Sequence, residues 1–270
     1  MSNVALSLFA SAVRPHIWDL FLASVEKSTE NIEVVFGGPC TEEQLAPFIN
    51  KYPFLKYIHT KNIKPAQVYE VCRRNCAGEL ISWTADDAEF PNDVLGKEYR
   101  YFKKHCSRKD ILSVQTKEHY GEWRTCDIDA HKFFGDDINA PKMAPMGVMT
   151  RKYLDKLGGI DRRFICGQWD NEILMRLYND GGKIFHFSEA WIELDHKNKH
   201  DPKGGVTEHR SFGAGYAHDR KILEGAWGKK GQMKYDVFPY ERYDDGFEPY
   251  IDIDLTTKSQ SYTLKDIFSD

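Results

Sequence analysis

Two adjacent acids, Asp86 and Asp87, follow the apolar run Glu79 to Thr84 and stand just before Glu89 and Pro91. Neighbouring carboxylates repel each other unless a cation or hydrogen-bond donors compensate them. A hard divalent ion is one compensator, because Mg²⁺ or Mn²⁺ takes oxygen ligands and bridges one or two carboxylates to a diphosphate. The plainer alternative is a solvated turn in which one acid caps a helix. A second acidic group, Asp170-Asn171-Glu172, opens a run with helical spacing. A carboxylate there can take a proton from a hydroxyl, or it can cap the helix, or do both. Glu172 either positions an acceptor or suits the positive end of that helix, and Arg176 on the same helix reads as a structural ion pair, not a ligand contact. A third group, Glu193-Leu194-Asp195-His196, ends an apolar stretch and is followed by Lys197, Lys199 and His200. Histidine is a common metal ligand and equally a common surface residue. Lys197, Lys199 and Lys203 with Gly204-Gly205 form either a loop that closes over a diphosphate or a solvated basic turn.

These groups need elements to hold them. Val4 to Ala10 and Ile32 to Phe36 read as strands, and Ile17, Leu20, Phe21, Ser24 and Val25 between them recur at helical spacing after Pro15. Strand, helix, strand is the order of a parallel sheet. A helix start at Thr41, a strand at Leu55 to His59 and a helix from Pro65 to Cys76 continue it, and Gly78 breaks that helix. The strand Glu79 to Thr84 then delivers Asp86 and Asp87 to its carboxyl end, where open α/β sheets bind ligands. Asp93 to Ser107 reads as a helix, whereas Asp110 to Pro145 has no clean period. Order returns with a strand at Met146 to Thr150 and helices at Lys152 to Leu157 and Asp170 to Asn179. Two strands follow, at Lys183 to Phe187 and Trp191 to Leu194. From Asp195 on, no period is sustained, and the sequence predicts an irregular extension.

Composition sets the outer limits. The chain has 270 residues, 41% of them hydrophobic and 13% aromatic, enough for one substantial core. A formal charge of -4 draws it to neither nucleic acid nor an anionic membrane. Six cysteines lie scattered without a CxxC pair or a disulfide framework, which points to reduced structural thiols in a cytoplasmic setting. Cys72 and Cys76 share a helical face but have no second soft pair to complete a metal site. Val4 to Ala10 is too short to span a bilayer and lacks a basic flank, so neither a transmembrane segment nor a signal peptide is expected.

The order of these motifs resembles family 2 glycosyltransferases and related GT-A enzymes, from Val4 to His196. Gly78-Glu79-Leu80-Ile81, the pair Asp86-Asp87 and Pro91 match one block, with Thr84 where the first aspartate of the usual DxD stands. Lys64-Pro65-Ala66 sits where a Gly-Pro-Ala-like start is common, with Glu70 and Cys72 replacing an Asn and a Gly. The second block is Gly158-Gly159-Ile160-Asp161-Arg162-Arg163-Phe164, followed after a spacer by Trp169-Asp170-Asn171-Glu172 and Arg176-Leu177. There Trp169 replaces a usual glutamate and Asp170 keeps the aspartate.

The resemblance implies an α/β GT-A fold: a mostly parallel central sheet flanked by helices, with an irregular C-terminal extension. Residues 1–196 would form the catalytic domain and 197–270 the extension packed on it. It further implies a metal-dependent, inverting transfer from a UDP-, GDP- or dTDP-sugar to a glycan or glycoconjugate acceptor. Asp170 would be the general base. Ser11, Arg14, Lys64, Ala85 and Asp86 would meet the nucleotide sugar, and Asp86, Asp87 and His196 would hold Mn²⁺ or Mg²⁺. Gly37-Gly38 stands where such enzymes often carry an aspartate that reads the base. Two rivals remain: a nucleotidyltransferase that makes nucleotide sugars, and a non-catalytic carbohydrate-binding or scaffold protein of the same fold.

Overall fold

The computed structural model describes residues 4–60, 64–118, 144, 146–194 and 218–225, together with the backbone of 119, 123–126, 252–253 and 259–260. Its centre is a nine-stranded sheet. Strands β1 (Leu6–Ser11), β2 (Ile32–Gly38), β3 (Leu55–His59) and β4 (Leu80–Trp83) form a parallel half in the order β3-β2-β1-β4. Their near-continuous apolar runs follow from burial on both faces, since helices cover each side of a parallel sheet. β1 shows the result: Leu6, Leu8 and Ala10 enter one core cluster while Phe9 enters the other.

The sheet then turns mixed. β5 (Ala88–Glu89), β6 (Ile111–His119), β7 (Trp123–Cys126), β8 (Gly147–Thr150) and β9 (Ile184–Leu194) continue it as β4-β8-β6-β9-β5, with β7 on β6. β8 runs antiparallel to both β4 and β6, while β9 runs parallel to β6. Two sequence expectations change here. The stretch after Asp110, whose sequence has no clean period, contains β6 and β7, and the two strands expected at 183–187 and 191–194 are one. That strand shifts register opposite Val114 and Gln115, and the irregularity splits its hydrophobic pattern.

Helices α1 (Trp18–Glu26), α2 (Glu42–Ile49) and α4 (Val94–His105) cover the first cluster; α3 (Pro65–Arg74), α5 (Arg151–Leu157) and α6 (Trp169–Asn179) cover the second. The helix expected from Pro15 begins as a 3₁₀ turn over Pro15–Ile17 and becomes α1 at Trp18. Trp18, fully buried, packs against Phe36 with the rings tilted and their centres 5.1 Å apart. α2 starts with a capping box in which Thr41 accepts from the Gln44 amide and the Gln44 side chain accepts from the Thr41 amide. A further helix, α7 (218–225), lies inside the region expected to be irregular. The cysteines Cys40, Cys72 and Cys76 lie buried within this packing. No helix among the described residues is long and apolar enough to cross a membrane.

Candidate functional site

Asp86 and Asp87 occupy the turn between β4 and β5, and both are almost fully buried. Their charge is met from within the chain. Asp86 Oδ2 accepts from the backbone amides of Val13 and Arg14, each at 3.0 Å, and from Trp18 Nε1 at 3.2 Å. Asp86 Oδ1 accepts from Arg14 Nε at 2.8 Å and from Arg14 Nη2. Arg14 Nη1 reaches Asp87 Oδ2 at 3.0 Å. Burial alone would lower the Arg14 pKa, but the two carboxylates outweigh it and hold the guanidinium above its ordinary value. The loop between β1 and α1 is thus tied to the end of β4.

This arrangement bears directly on the ion that the sequence predicts. A carboxylate offers about four lone-pair sites, and Asp86 already receives five donors. Among the described residues no group of three or more His, Cys, Asp or Glu side chains gathers as a metal cage. His196, the third expected ligand, lies outside the described residues. As arranged, Asp86 does not fit a divalent ion, because both its oxygens are committed and Arg14 would have to withdraw first, whereas Asp87 meets Arg14 through Oδ2 and buries Oδ1 without a hydrogen bond among the described residues.

A cavity of about 270 Å³ opens beside this turn, walled by Tyr69, Trp83, Thr84, Ala85, Met146 and the segment Cys166 to Asn171. It brings the end of β4 and Asp170 to one space. The first positions of α6 set the aspartate. Gln168 precedes the helix in the left-handed region at φ 62, so α6 begins at Trp169, one residue earlier than expected. Asp170 lies in the first turn, where the Asp170 and Asn171 amides stabilise its ionised form. Desolvation of the carboxyl dominates and pushes its pKa up to about 6, although the residue is only half-buried by area. Trp169, where an acid is usual, packs against Tyr69 and Trp83 with ring centres 4.8 and 5.7 Å apart. Tyr69 in turn donates its hydroxyl to the Thr84 carbonyl at 2.6 Å. This aromatic group links α3, β4 and α6 behind the cavity.

The remaining expected residues divide. Ala85 lines the cavity, while Ser11 ends β1 in register with Gly37. Lys64 precedes α3 and is not in the cavity wall, though Ala66, two residues on, donates its amide to the Ile165 carbonyl at 3.4 Å. At Gly37 a Cβ would lie 2.6 Å from Cys72 Sγ, and at Gly38 one would lie 2.5 Å from the Ala12 carbonyl oxygen. Neither position has room for the usual base-reading aspartate. Glu172 and Arg176 form a buried ion pair, with Arg176 also donating to the Gly159 carbonyl at 2.7 Å. Glu70 holds the other side of that turn by accepting from the Ile160 amide at 3.0 Å. Gly159 has φ 74, and a Cβ there would lie 2.8 Å from both Glu70 carboxylate oxygens.

Sequence reasoning missed Asp219. It projects from α7, is fully buried, and accepts from the amides of Ile165, Cys166 and Gly167 at 3.0, 2.7 and 2.8 Å. Burial nevertheless pushes its pKa up to about 7. It therefore organises the segment that leads into Gln168 and Asp170. Its only local signal is a short helical pattern with Ile222 and Leu223, too brief to stand out of a polar region. A larger cavity, about 460 Å³, lies near the opposite end of β4 among Glu79, Arg108, Lys109 and residues 150–153, and contains none of the expected site residues.

Neither a family model nor a curated protein matches the sequence. Solved structures do. Staphylococcus aureus TarS 1-349 in complex with UDP-GlcNAc superposes with a TM-score of 0.60 at 15% identity, over 82% of this chain and 67% of that one. Another structure of S. aureus TarS 1-349 gives 0.58 at 16% identity over 73% of this chain, and the match spans only 62% of that protein. The mannosyltransferase PcManGT from Pyrobaculum calidifontis, in complex with GDP-Man and Mn²⁺, gives 0.57 at 14% identity over 88% of this chain and 69% of that one. At these identities the likeness is one of fold, and that fold is the GT-A glycosyltransferase fold expected from the sequence.

Proposed function

We propose that this chain, built on the GT-A glycosyltransferase fold, transfers a sugar from a nucleotide-diphosphate sugar to a hydroxyl of a glycan or glycoconjugate, with inversion. The observation that carries the proposal is the shared cavity. Thr84 and Ala85 at the end of β4 face the same space as Asp170. A nucleotide sugar lying across the strand ends would present its anomeric carbon there, as ligands of open α/β sheets lie outside the carboxyl ends of the strands. Asp170, raised to about 6 by burial, is ionised at neutral pH yet basic enough to take the acceptor proton during attack. The new bond forms from the acceptor oxygen to the anomeric carbon as the bond to the diphosphate breaks. UDP-, GDP- and dTDP-sugars are all candidate donors, and the complexes of the solved neighbours with UDP-GlcNAc and GDP-Man support the class.

The test is a panel of UDP-, GDP-, dTDP- and CMP-sugars incubated with the protein and acceptor saccharides. Release of nucleotide from one donor, with a β-linked product from an α-linked sugar, is the expected result. A product that retains the donor configuration would remove Asp170 from the role of base. A carbohydrate-binding protein without turnover is the second reading, favoured by Trp169 packing where an acid is usual. Thermal stabilisation by saccharides without any nucleotide release would support it.

A further inference from the structure

We infer that Arg14 is the built-in counter-ion of Asp86 and Asp87, and that Asp86 fastens the loop after β1 and does not take a divalent ion. The inference concerns the donor site of the proposed transferase, but its evidence is independent of any reaction. A fork of three guanidinium nitrogens spans the two acids: Nε and Nη2 on Asp86, Nη1 on Asp87. Bidentate pairing of this kind is specific to arginine, whose planar donors match carboxylate geometry. The backbone adds the Val13 and Arg14 amides, and Trp18 adds its indole N–H. Both oxygens of Asp86 are therefore occupied by groups from residues 13 to 18.

A metal ion competing for this carboxylate must displace one charged group and three neutral donors. Mg²⁺ demands near-octahedral oxygen coordination and gives up its waters reluctantly. To reach Asp86 it would have to expel a guanidinium from a site where Arg14 is only 13% exposed and the acid 3%. Removing one partner of a buried pair leaves the other charge uncompensated. The two amides and the indole would also lose their acceptor, and the loop its anchor. Arg14 and the acids thus act as positioning residues for the strand-end loop, and compensation of a bound diphosphate falls to other groups.

Mn²⁺ alone, titrated into the full chain and followed by electron paramagnetic resonance, tests this without donor or acceptor. The native protein should show no Mn²⁺ site dependent on Asp86. Arg14→Ala should gain one, and the double variant Arg14→Ala/Asp86→Asn should lose it again. Arg14→Lys, which keeps the charge but cannot span both acids, should fall between. Melting curves in EDTA identify any variant that fails to fold, and Arg14→Lys then carries the test. Native Mn²⁺ binding abolished by Asp86→Asn would overturn the inference, as would a folded Arg14→Ala or Arg14→Lys that gains no site. Mn²⁺ binding that survives Asp86→Asn places the ion elsewhere and supports it. A negative result here leaves glycosyl transfer standing, since the donor panel measures that separately.

Discussion

Asp170 stands at the point where burial and helix geometry pull in opposite directions. Amides of the first turn favour its ionised form, desolvation disfavours it, and desolvation wins, leaving a pKa of about 6. A base must be ionised to act, so kcat/KM should climb about tenfold per pH unit below 6 and level off above it. An ordinary exposed aspartate would leave the profile flat from pH 5 to 8, and a flat profile would count against this assignment. Asp170→Asn should lower transfer by about 10² to 10⁴ with little change in melting temperature. The sequence displays this residue because it heads a helical run two short motifs after Gly158-Gly159. It conceals the partner of Asp86, because Arg14 lies 72 residues away and no local pattern reports a contact of that span. The acids were legible as a charge that needs compensating; which cation compensates them was not.

The elements differ in how openly their sequences announce them. β1, β2 and β4 are compact apolar runs with glycines or turns at their ends, so both their type and their order can be read. β6 is harder: Ile111 to Val114 lie in the core, whereas its later residues pair with β7 away from the centre, and the changing surroundings erase the period. α4 conceals another feature. Glu98 is fully buried, and neither carboxylate oxygen has a hydrogen-bond partner among the described residues. With nothing to offset it, desolvation raises its pKa well above the ordinary carboxylate value. The native state then binds a proton that the unfolded chain releases, so this group lowers stability progressively as pH rises from about 4.3, its unfolded value. Glu98→Met should stabilise the protein by about 1 to 3 kcal/mol at pH 8 and by less at pH 5. Equal melting shifts at the two pH values would show that Glu98 has a partner in solution.

At the scale of the molecule, α7, from the region beyond residue 196, packs on the sheet-and-helix unit before it. α7 returns Asp219 to the amides before Gln168 and sets Leu223 into the second core cluster. A chain ending after residue 225 should therefore melt higher than one ending after residue 196. Above pH 7, where Asp219 is ionised, Asp219→Ala in the longer chain should erase much of the difference, since hydrogen bonds to a charged group contribute roughly 1.5 to 3 kcal/mol each. Equal melting of the two truncated chains would show that α7 contributes nothing to the core. The parallel half and the placement of Asp170 were visible in the sequence because each rests on local periodicity. The contribution of α7 was not, because one short helix and one buried carboxylate carry it.

The clasp on Asp86 also orders events during synthesis and folding. Val13 and Arg14 leave the ribosome about seventy residues before the carboxylate that will receive their amides. Until β4 docks beside β1, those two N–H groups have only water to accept from them, and the loop after β1 lacks its Asp86 anchor. The amino-terminal strand and helix are translated first, yet their junction can acquire its final geometry only after residue 86 has arrived.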